Sequence, residues 1–283
     1  MSKTLLRNIL TIAIFLAISW AVMSIEQNDY DDHNPEMAGY FEGDIMPDFP
    51  TRNGFPNRKW PNNTIKYVFS SSFTEAQKET VRQCCRELEN KTCVRCRETI
   101  FLDYEYVYIK NDPVGCSSQV GCQYTWVQIM NLGPNCLKNH VIVCHEFIHA
   151  LGFSHAHNSY DRDDHVRINF ENIKEGNGYN FEKKEDSLDC LVPYDRESAM
   201  GYGPYVFSKN GNETITPLDG NYTGMGQRNR IADSDIEKIN RMYCFNNCTA
   251  TTNTTTSTTT TTAATTTITE ETTTTEETTT ILW

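Results

Sequence analysis

The residues of this chain best suited to chemistry are three histidines and a glutamate in the string His145-Glu146-Phe-Ile-His149-Ala-Leu-Gly152-Phe-Ser-His155. Residues four apart on a helix share a face, so His145 and His149 can both direct an imidazole nitrogen to one ion. Glu146 lies between them and can reach a water on the metal without ligating it. Gly152 allows the chain to turn, which brings His155 round as a third ligand. Three protein ligands leave one position open, as in catalytic rather than structural zinc sites.

The alternative explanation is that these are ordinary helix histidines. Three histidines, one glutamate and one glycine at fixed places would recur by chance about once in 10⁵ chains of this composition. A bare HExxH would be a modest signal, whereas this longer form resembles the zinc signature of the metzincins. The pattern therefore predicts one Zn2+ per chain, with Glu146 as the general base of a hydrolase.

Flanking residues narrow the resemblance to one family. The strings Phe153-Ser-His and Asp161-Arg-Asp resemble the zinc signature of the astacin family of metallopeptidases, and Ser198-Ala-Met200-Gly-Tyr202 resembles its Met-turn. The resemblance implies that Met200 lies beneath the metal. It also implies that Tyr202 is a phenol that serves as a possible fifth zinc ligand or stabilises the oxyanion. The alternative for Tyr202 is an ordinary packed tyrosine.

A second motif lies well upstream of the histidines. Phe41-Glu-Gly-Asp44 resembles the propeptide motif of astacins, which implies that Asp44 fills the open position of the zinc in a zymogen. A trypsin-like protease would then release the mature enzyme at the Arg52-Asn53 junction. On charge pattern alone, Asp44 could instead be one more acid in a solvated run.

Departures from the family pattern are also visible. Astacins usually carry glutamate directly after the third histidine, where it meets the buried mature N-terminus, but this chain has Ala156. Gly201 replaces the usual histidine of the Met-turn. His157 and His165 have no ligand spacing with the three histidines, which predicts surface positions for both. Asp161-Arg-Asp163 is expected to be a structural ion-pair group.

The composition divides the chain into four segments. Residues 1–24 combine a basic start with a 15-residue apolar run and a small-residue cleavage site, as in a signal peptide. The alternative, an uncleaved signal anchor, usually needs about 20 apolar residues. Residues 25–52 are acidic and match the propeptide, residues 53–248 form one domain, and residues 249–283 are a Thr-rich, mucin-like tail. The expected location is extracellular, with no membrane span.

Net charge excludes some classes of partner. Of the formal charge of −12, the signal segment contributes +2, residues 25–52 contribute −7 and the tail contributes −4, which leaves −3 for residues 53–248. Such a balance argues against DNA, RNA or anionic lipid as the main partner. Six sequons would mark glycan-bearing positions: Asn62, Asn90, Asn212, Asn221, Asn247 and Asn253.

All eleven cysteines lie in residues 53–248, which predicts disulfides in a secreted chain and at least one thiol left over. Cys93-Val-Arg-Cys96 could alternatively be a zinc or redox pair. Cys144 is expected to face the core or a partner such as Cys96. The family resemblance implies two further pairs, Cys93 with Cys244 and Cys116 with Cys136.

The fold class predicted is α+β, with a metzincin-type catalytic domain. Its N-terminal half should hold a mixed twisted sheet and two long helices, and its C-terminal half should be largely irregular with a closing helix. Helices are predicted near Thr74–Glu89, Asn139–Leu151 and Ser234–Tyr243. Strands are predicted from Ile65, and over Thr92–Cys96, Tyr104–Lys110 and Tyr124–Met130. If Tyr124–Met130 is the sheet edge above the cleft, it could bind substrate as an added antiparallel strand.

The function predicted is a secreted zinc-dependent endopeptidase, made as a zymogen, that acts on protein or peptide substrates. The alternative is a catalytically inert, mucin-like binding protein or effector, which the Thr-rich tail and the sequons favour. Against it, every zinc ligand and the base are present. Another metzincin branch would share the chemistry but would not explain the upstream motif together with Tyr202.

Overall fold

The structure is a computed structural model that describes residues 34, 36–47, 58–100, 104–183 and 190–248. The predicted signal peptide (1–24), the Arg52-Asn53 junction and the Thr-rich tail (249–283) lie outside these residues. Within them, no helix is long and apolar enough to cross a membrane.

A five-stranded sheet forms the centre of the N-terminal half. Its strands are β1 (Thr64–Phe69), β2 (Arg95–Glu98), β3 (Tyr106–Lys110), β4 (Cys116–Ser118) and β5 (Val127–Leu132). They lie in the order β2-β1-β3-β5-β4, and all neighbours are parallel except β4 and β5. The predicted mixed sheet is confirmed.

Two helices pack on this sheet, α1 (Glu75–Lys91) and α2 (His140–Ala150). Helix α1 begins at a capping box, in which Thr74 and Gln77 satisfy each other's main-chain N–H groups. Its apolar face, which includes Val81 and Leu88, is buried. Helix α2 is buried on almost all sides, and its side chains therefore have fixed positions.

Disulfides connect these elements. The Cys93–Cys244 and Cys116–Cys136 pairs are confirmed. Cys144 faces the core, as one of its two expected settings, but its partner is Cys84 on α1 rather than Cys96. Cys190 pairs with Cys248. Three cysteines remain as thiols among the described residues: Cys85, Cys96 and Cys122.

On the β5 side of the sheet, the edge strand is β4. Strand β5 lies inside the sheet, between β3 and β4, so Tyr124–Met130 does not meet the condition for binding substrate as an edge strand. The three-residue β4 forms the edge on that side, and the upstream segment pairs with it in a parallel sense. Met46 N–H donates to the Ser118 carbonyl at 2.9 Å, and Ser118 N–H donates to the Asp44 carbonyl at 3.0 Å. A strand this short leaves almost no alternating pattern in the sequence.

The C-terminal half is mostly irregular, as predicted. It contains a two-stranded antiparallel sheet of β6 (Val166–Ile168) and β7 (Ile215–Pro217) and several single 3-10 turns. The closing helix α3 (Asp233–Ile239) continues as a π-helical turn over Asn240–Cys244. A second, smaller cluster of buried apolar side chains lies within this half and includes Phe181.

Candidate metal centre

The three predicted histidines meet at one point. The Nε2 atoms of His145 and His149 are 3.0 Å apart, those of His145 and His155 are 3.1 Å apart, and those of His149 and His155 are 3.3 Å apart. All three side chains are buried. Tetrahedral zinc with Zn–N bonds of about 2.0–2.1 Å needs ligand atoms about 3.3 Å apart. The spacing of the three nitrogens therefore fits one zinc ion.

The backbone turn at Gly152 places the imidazole of His155 beside those of His145 and His149. Helix α2 presents His145 and His149 one turn apart, and it ends where Gly152 adopts φ +110°. Gly152 N–H donates to the His149 carbonyl at 2.8 Å, and the Phe153 N–H donates to the Ile148 carbonyl at 3.2 Å. A β-carbon at Gly152 would both strain this φ and lie 3.3 Å from a buried methionine methyl.

The Nδ1 partners decide which nitrogens face the centre. His145 Nδ1 contacts the Ala199 carbonyl at 2.7 Å, and His149 Nδ1 contacts the Phe153 carbonyl at 2.7 Å. Carbonyl oxygens only accept hydrogen bonds, so these Nδ1 atoms carry the ring protons. The Nε2 lone pairs then point at one another, an arrangement that a bound cation satisfies. The donor set thus fits the zinc ion predicted from the sequence.

Asp44 closes the fourth side of the centre. Its carboxylate is fully buried, with Oδ2 3.1 Å from His145 Nε2 and Oδ1 3.3 Å from His155 Nε2. The four candidate ligand atoms lie within 4.8 Å of one another. Burial opposes the charged form, but the imidazoles of His155 and His149 hold the pKa of Asp44 well below its usual range. Asp44 is therefore not one more solvated acid.

Glu146 is buried beside this cluster. Neither carboxylate oxygen has a hydrogen-bond partner among the described residues. Burial, and then the charge of the nearby Asp44 carboxylate, raise the pKa of Glu146 well above its usual range. Buried carboxylates without partners are costly, so one that persists next to a candidate metal centre indicates a chemical role.

The segment Ser198–Tyr202 is hydrogen-bonded to the chain that follows His155 and to α3. Met200 is buried, and its carbonyl accepts from Ala156 N–H at 2.9 Å. The buried carboxylate of Asp235 on α3 accepts from Ser198 Oγ at 2.5 Å and from Ala199 N–H at 2.8 Å. Sequence reasoning missed Asp235. Its only local signal is an acid in the first turn of the closing helix.

Tyr202 contacts both the upstream segment and the histidines, and its ring centroid lies 4.5 Å from that of His155. Its hydroxyl donates to the Glu42 carbonyl, and its ring stacks on His157 with 3.9 Å between centroids. The expected surface position of His157 was therefore wrong: the ring is buried, and Nε2 contacts the Asn180 carbonyl at 3.0 Å. Burial, with the neighbouring His155, lowers the pKa of His157 to about 3.

The remaining predicted residues lie around this centre without joining it. Arg162 Nε bonds Asp163 at 3.1 Å, whereas Asp161 accepts from the Tyr194 N–H at 2.9 Å. The expected ion-pair group is therefore confirmed for Asp163 alone. His165 is partly exposed and packs on the Tyr194 ring.

One ion pair near the centre was missed entirely. Arg228 and Glu36 form a two-point pair at 2.6 Å for each contact, and the Glu36 side chain is buried. Arg228 also donates to the Gly201 carbonyl at 3.1 Å. The pair joins the upstream segment to the Met-turn. Residues 192 apart in the chain leave no pairing signal in a single sequence.

Comparisons with known proteins agree with this geometry. The family model for the peptidase family described as "Astacin" matches residues 52–244. The zinc metalloproteinase nas-14 of Caenorhabditis elegans is 42% identical over 67% of this chain, which spans 38% of that protein. The low choriolytic enzyme of Oryzias latipes is 36% identical over 75% of this chain and 80% of its own length.

A solved structure extends the likeness to the fold. High choriolytic enzyme 1, a hatching enzyme zinc-protease from Oryzias latipes, has a TM-score of 0.61 and 32% identity. The match covers 73% of this chain and all of that chain. The predicted fold class is thereby confirmed. The chain belongs to the astacin family of zinc metalloendopeptidases.

Proposed function

We propose that this chain is a secreted zinc endopeptidase, made as a zymogen, that hydrolyses peptide bonds in proteins or peptides. The supporting observation is the cluster of three Nε2 atoms within 3.3 Å of one another, with the partnerless carboxylate of Glu146 buried beside it. His145, His149 and His155 are the metal ligands in this proposal. When bound, zinc supplies Lewis-acid activation of a water and of the scissile carbonyl.

The residues around the ion divide the work of peptide hydrolysis. Glu146 accepts the proton of the attacking water and passes it to the leaving amine, because its buried carboxylate lies beside the three histidines and has no other hydrogen-bond partner among the described residues. Tyr202, a possible fifth ligand, donates its hydroxyl hydrogen bond to the developing oxyanion once Glu42 no longer occupies it.

Latency follows from the upstream segment. Asp44 acts as a fourth ligand in the zymogen, which excludes the substrate carbonyl from the metal. The pairing of Met46 and Asp44 with Ser118 also covers the sheet edge that an extended substrate would use. A trypsin-like protease that cuts at Arg52-Asn53 would release this block.

Secretion is the expected setting of this chemistry. The first 24 residues have the form of a signal peptide, and four disulfides cross-link the described domain. One relative is named seminal metalloprotease 1 of Drosophila melanogaster, with 34% identity. The tail of residues 249–283 would be an O-glycosylated stalk.

An activity assay separates this proposal from an inert binding protein. Full-length chain treated with trypsin, which is then blocked with a serine-protease inhibitor, should hydrolyse casein, lose this activity with a chelator and regain it with zinc. Glu146→Ala should retain zinc but lose activity by several orders of magnitude. Tyr202→Phe should retain zinc and lose less activity than Glu146→Ala. Full activity of Glu146→Ala would refute the mechanism, and no activity of the wild type would favour the inert alternative.

A further inference from the structure

The third histidine obtains its Nδ1 partner from a different part of the chain than the other two. His145 and His149 use main-chain carbonyls of the catalytic domain. His155 Nδ1 instead lies 2.8 Å from a carboxylate oxygen of Glu42, in the upstream segment. Both side chains are fully buried. This ring therefore depends on a segment that the proposed activation cut would detach.

The position of Glu42 is fixed through its main chain. Its N–H donates to Asn180 Oδ1 at 2.9 Å, and its carbonyl accepts from the Tyr202 hydroxyl. Glu42 has φ +49° and Gly43 has φ +86°, so the chain turns sharply here. A β-carbon on Gly43 would lie 2.8 Å from the Glu36 carbonyl oxygen. The turn therefore directs the Glu42 carboxylate to one target.

Two carboxylates contact opposite edges of one imidazole as a result. Asp44 Oδ1 lies 3.3 Å from His155 Nε2, and Glu42 Oε2 lies 2.8 Å from Nδ1 of the same ring. Ala156, which follows His155, has only a methyl group and offers no replacement acceptor.

We propose that Glu42 is a positioning residue of the metal centre that the propeptide supplies, and that it slows the loss of zinc from the zymogen. A carboxylate on the far nitrogen of a metal-bound histidine fixes the ring orientation and strengthens its bond to the metal. The proposal rests on the proposed zinc ligands. The propeptide thus has two roles at one ring: Asp44 blocks the metal, and Glu42 retains it.

The test measures zinc release from the full-length, uncleaved chain loaded with one zinc ion. Excess chromophoric chelator reports the release rate at constant pH. Glu42→Gln keeps the size and one acceptor but removes the charge, so release should become about tenfold faster, and Glu42→Ala should be faster still. Ile45→Ala is the control, because this buried side chain belongs to the same segment and has no polar atom that could bond a histidine.

The possible outcomes separate this proposal from the one on which it rests. Fast release from both Glu42 variants, with Ile45→Ala close to the wild type, supports the role of Glu42. Equal acceleration in Ile45→Ala would mean that a loosened propeptide accounts for the effect, and the proposal would fail. Unchanged release in the Glu42 variants would also overturn it. Failure of the wild-type chain to bind zinc would instead refute the proposed ligand set.

Discussion

The two halves of the catalytic domain position their functional residues by different physical means. In the N-terminal half, His145 and His149 stand on a helix that is buried on nearly all sides and packs on a sheet. In the C-terminal half, long irregular segments carry Met200 and Tyr202, and the buried carboxylate of Asp235 holds the start of this stretch through hydrogen bonds from Ser198 and Ala199. Apolar packing fixes the first set, and hydrogen bonds fix the second.

The difference follows from how main-chain polar groups are satisfied. Helices and sheets pair their own N–H and C=O groups, so their side chains are free to build an apolar core. Irregular buried segments lack such partners and must recruit side-chain donors and acceptors. Substitutions of apolar core residues should therefore cause the largest losses of stability in the N-terminal half. In the C-terminal half, substitutions of buried polar residues should cause the largest losses.

The largest loss of stability should come from removing the disulfide that joins the two halves. Cys93 and Cys244 are 151 residues apart, so replacing both with serine should reduce the free energy of unfolding by about 5 kcal/mol. Urea unfolding under non-reducing conditions measures this. The Cys116–Cys136 pair closes only 20 residues within the N-terminal half, and its removal should cost about 3 kcal/mol. A larger loss from the shorter loop would contradict the prediction.

The next largest loss of stability should come from removing a packed apolar side chain in the N-terminal half. Leu88 on α1 is fully buried, and Leu88→Ala should reduce the free energy of unfolding by about 3 kcal/mol, because it removes apolar contacts and leaves a cavity. Urea unfolding of the zymogen measures the change. Glu79→Ala on the exposed face of the same helix should cost less than about 0.5 kcal/mol. Similar losses in the two variants would show that the burial of Leu88 does not decide stability here.

The next largest loss of stability should come from changing a buried polar group in the C-terminal half. Asp235→Asn weakens the charge-assisted bonds to Ser198 and Ala199, which should cost about 2 kcal/mol of unfolding free energy. It should also speed zinc release and lower activity, since the Ala199 carbonyl orients His145. The control is Asp233→Asn, an exposed acid in the same helical turn. If Asp235→Asn left zinc release unchanged, the link from α3 to the metal centre would be wrong.

The smallest effect should come from a polar contact in the N-terminal half. Arg82 on α1 bonds Glu98 on β2 at 3.0 Å near the surface. Arg82→Gln should change the unfolding free energy by about 0.5 kcal/mol, because water and salt screen exposed pairs. Raising the salt concentration should reduce even this difference. A loss as large as that of Asp235→Asn would remove the distinction between the halves.

Local patterns predicted much of the fold and the metal centre. The helices near Thr74–Glu89 and Asn139–Leu151 are close to α1 and α2, and the three histidines converge as their spacing predicts. Both depend on residues a few positions apart, whose relation a helix fixes. Two disulfides and the motif ending at Asp44 came from family resemblance, which carries tertiary information that a single sequence lacks.

What escaped prediction depends on contacts between distant segments. His157 is buried because Tyr202 and Asn180 meet it, and neither is near it in the chain. The Cys84–Cys144 bond depends on how two helices face each other. Likewise β4 became the edge through pairing with β5 rather than through its own composition. Such partners can be listed only after the topology is known.

The cross-links at the end of the described chain determine how the domain responds to pulling. Cys248 bonds Cys190, and four residues earlier Cys244 bonds Cys93, which lies just before β2. A tensile load applied beyond residue 248 therefore enters through covalent bonds in two separate parts of the domain. The closing helix cannot be peeled from its C-terminal end by such a load. If the tail tethers the protein to a surface, force on that tether would leave the metal centre intact until a disulfide is reduced.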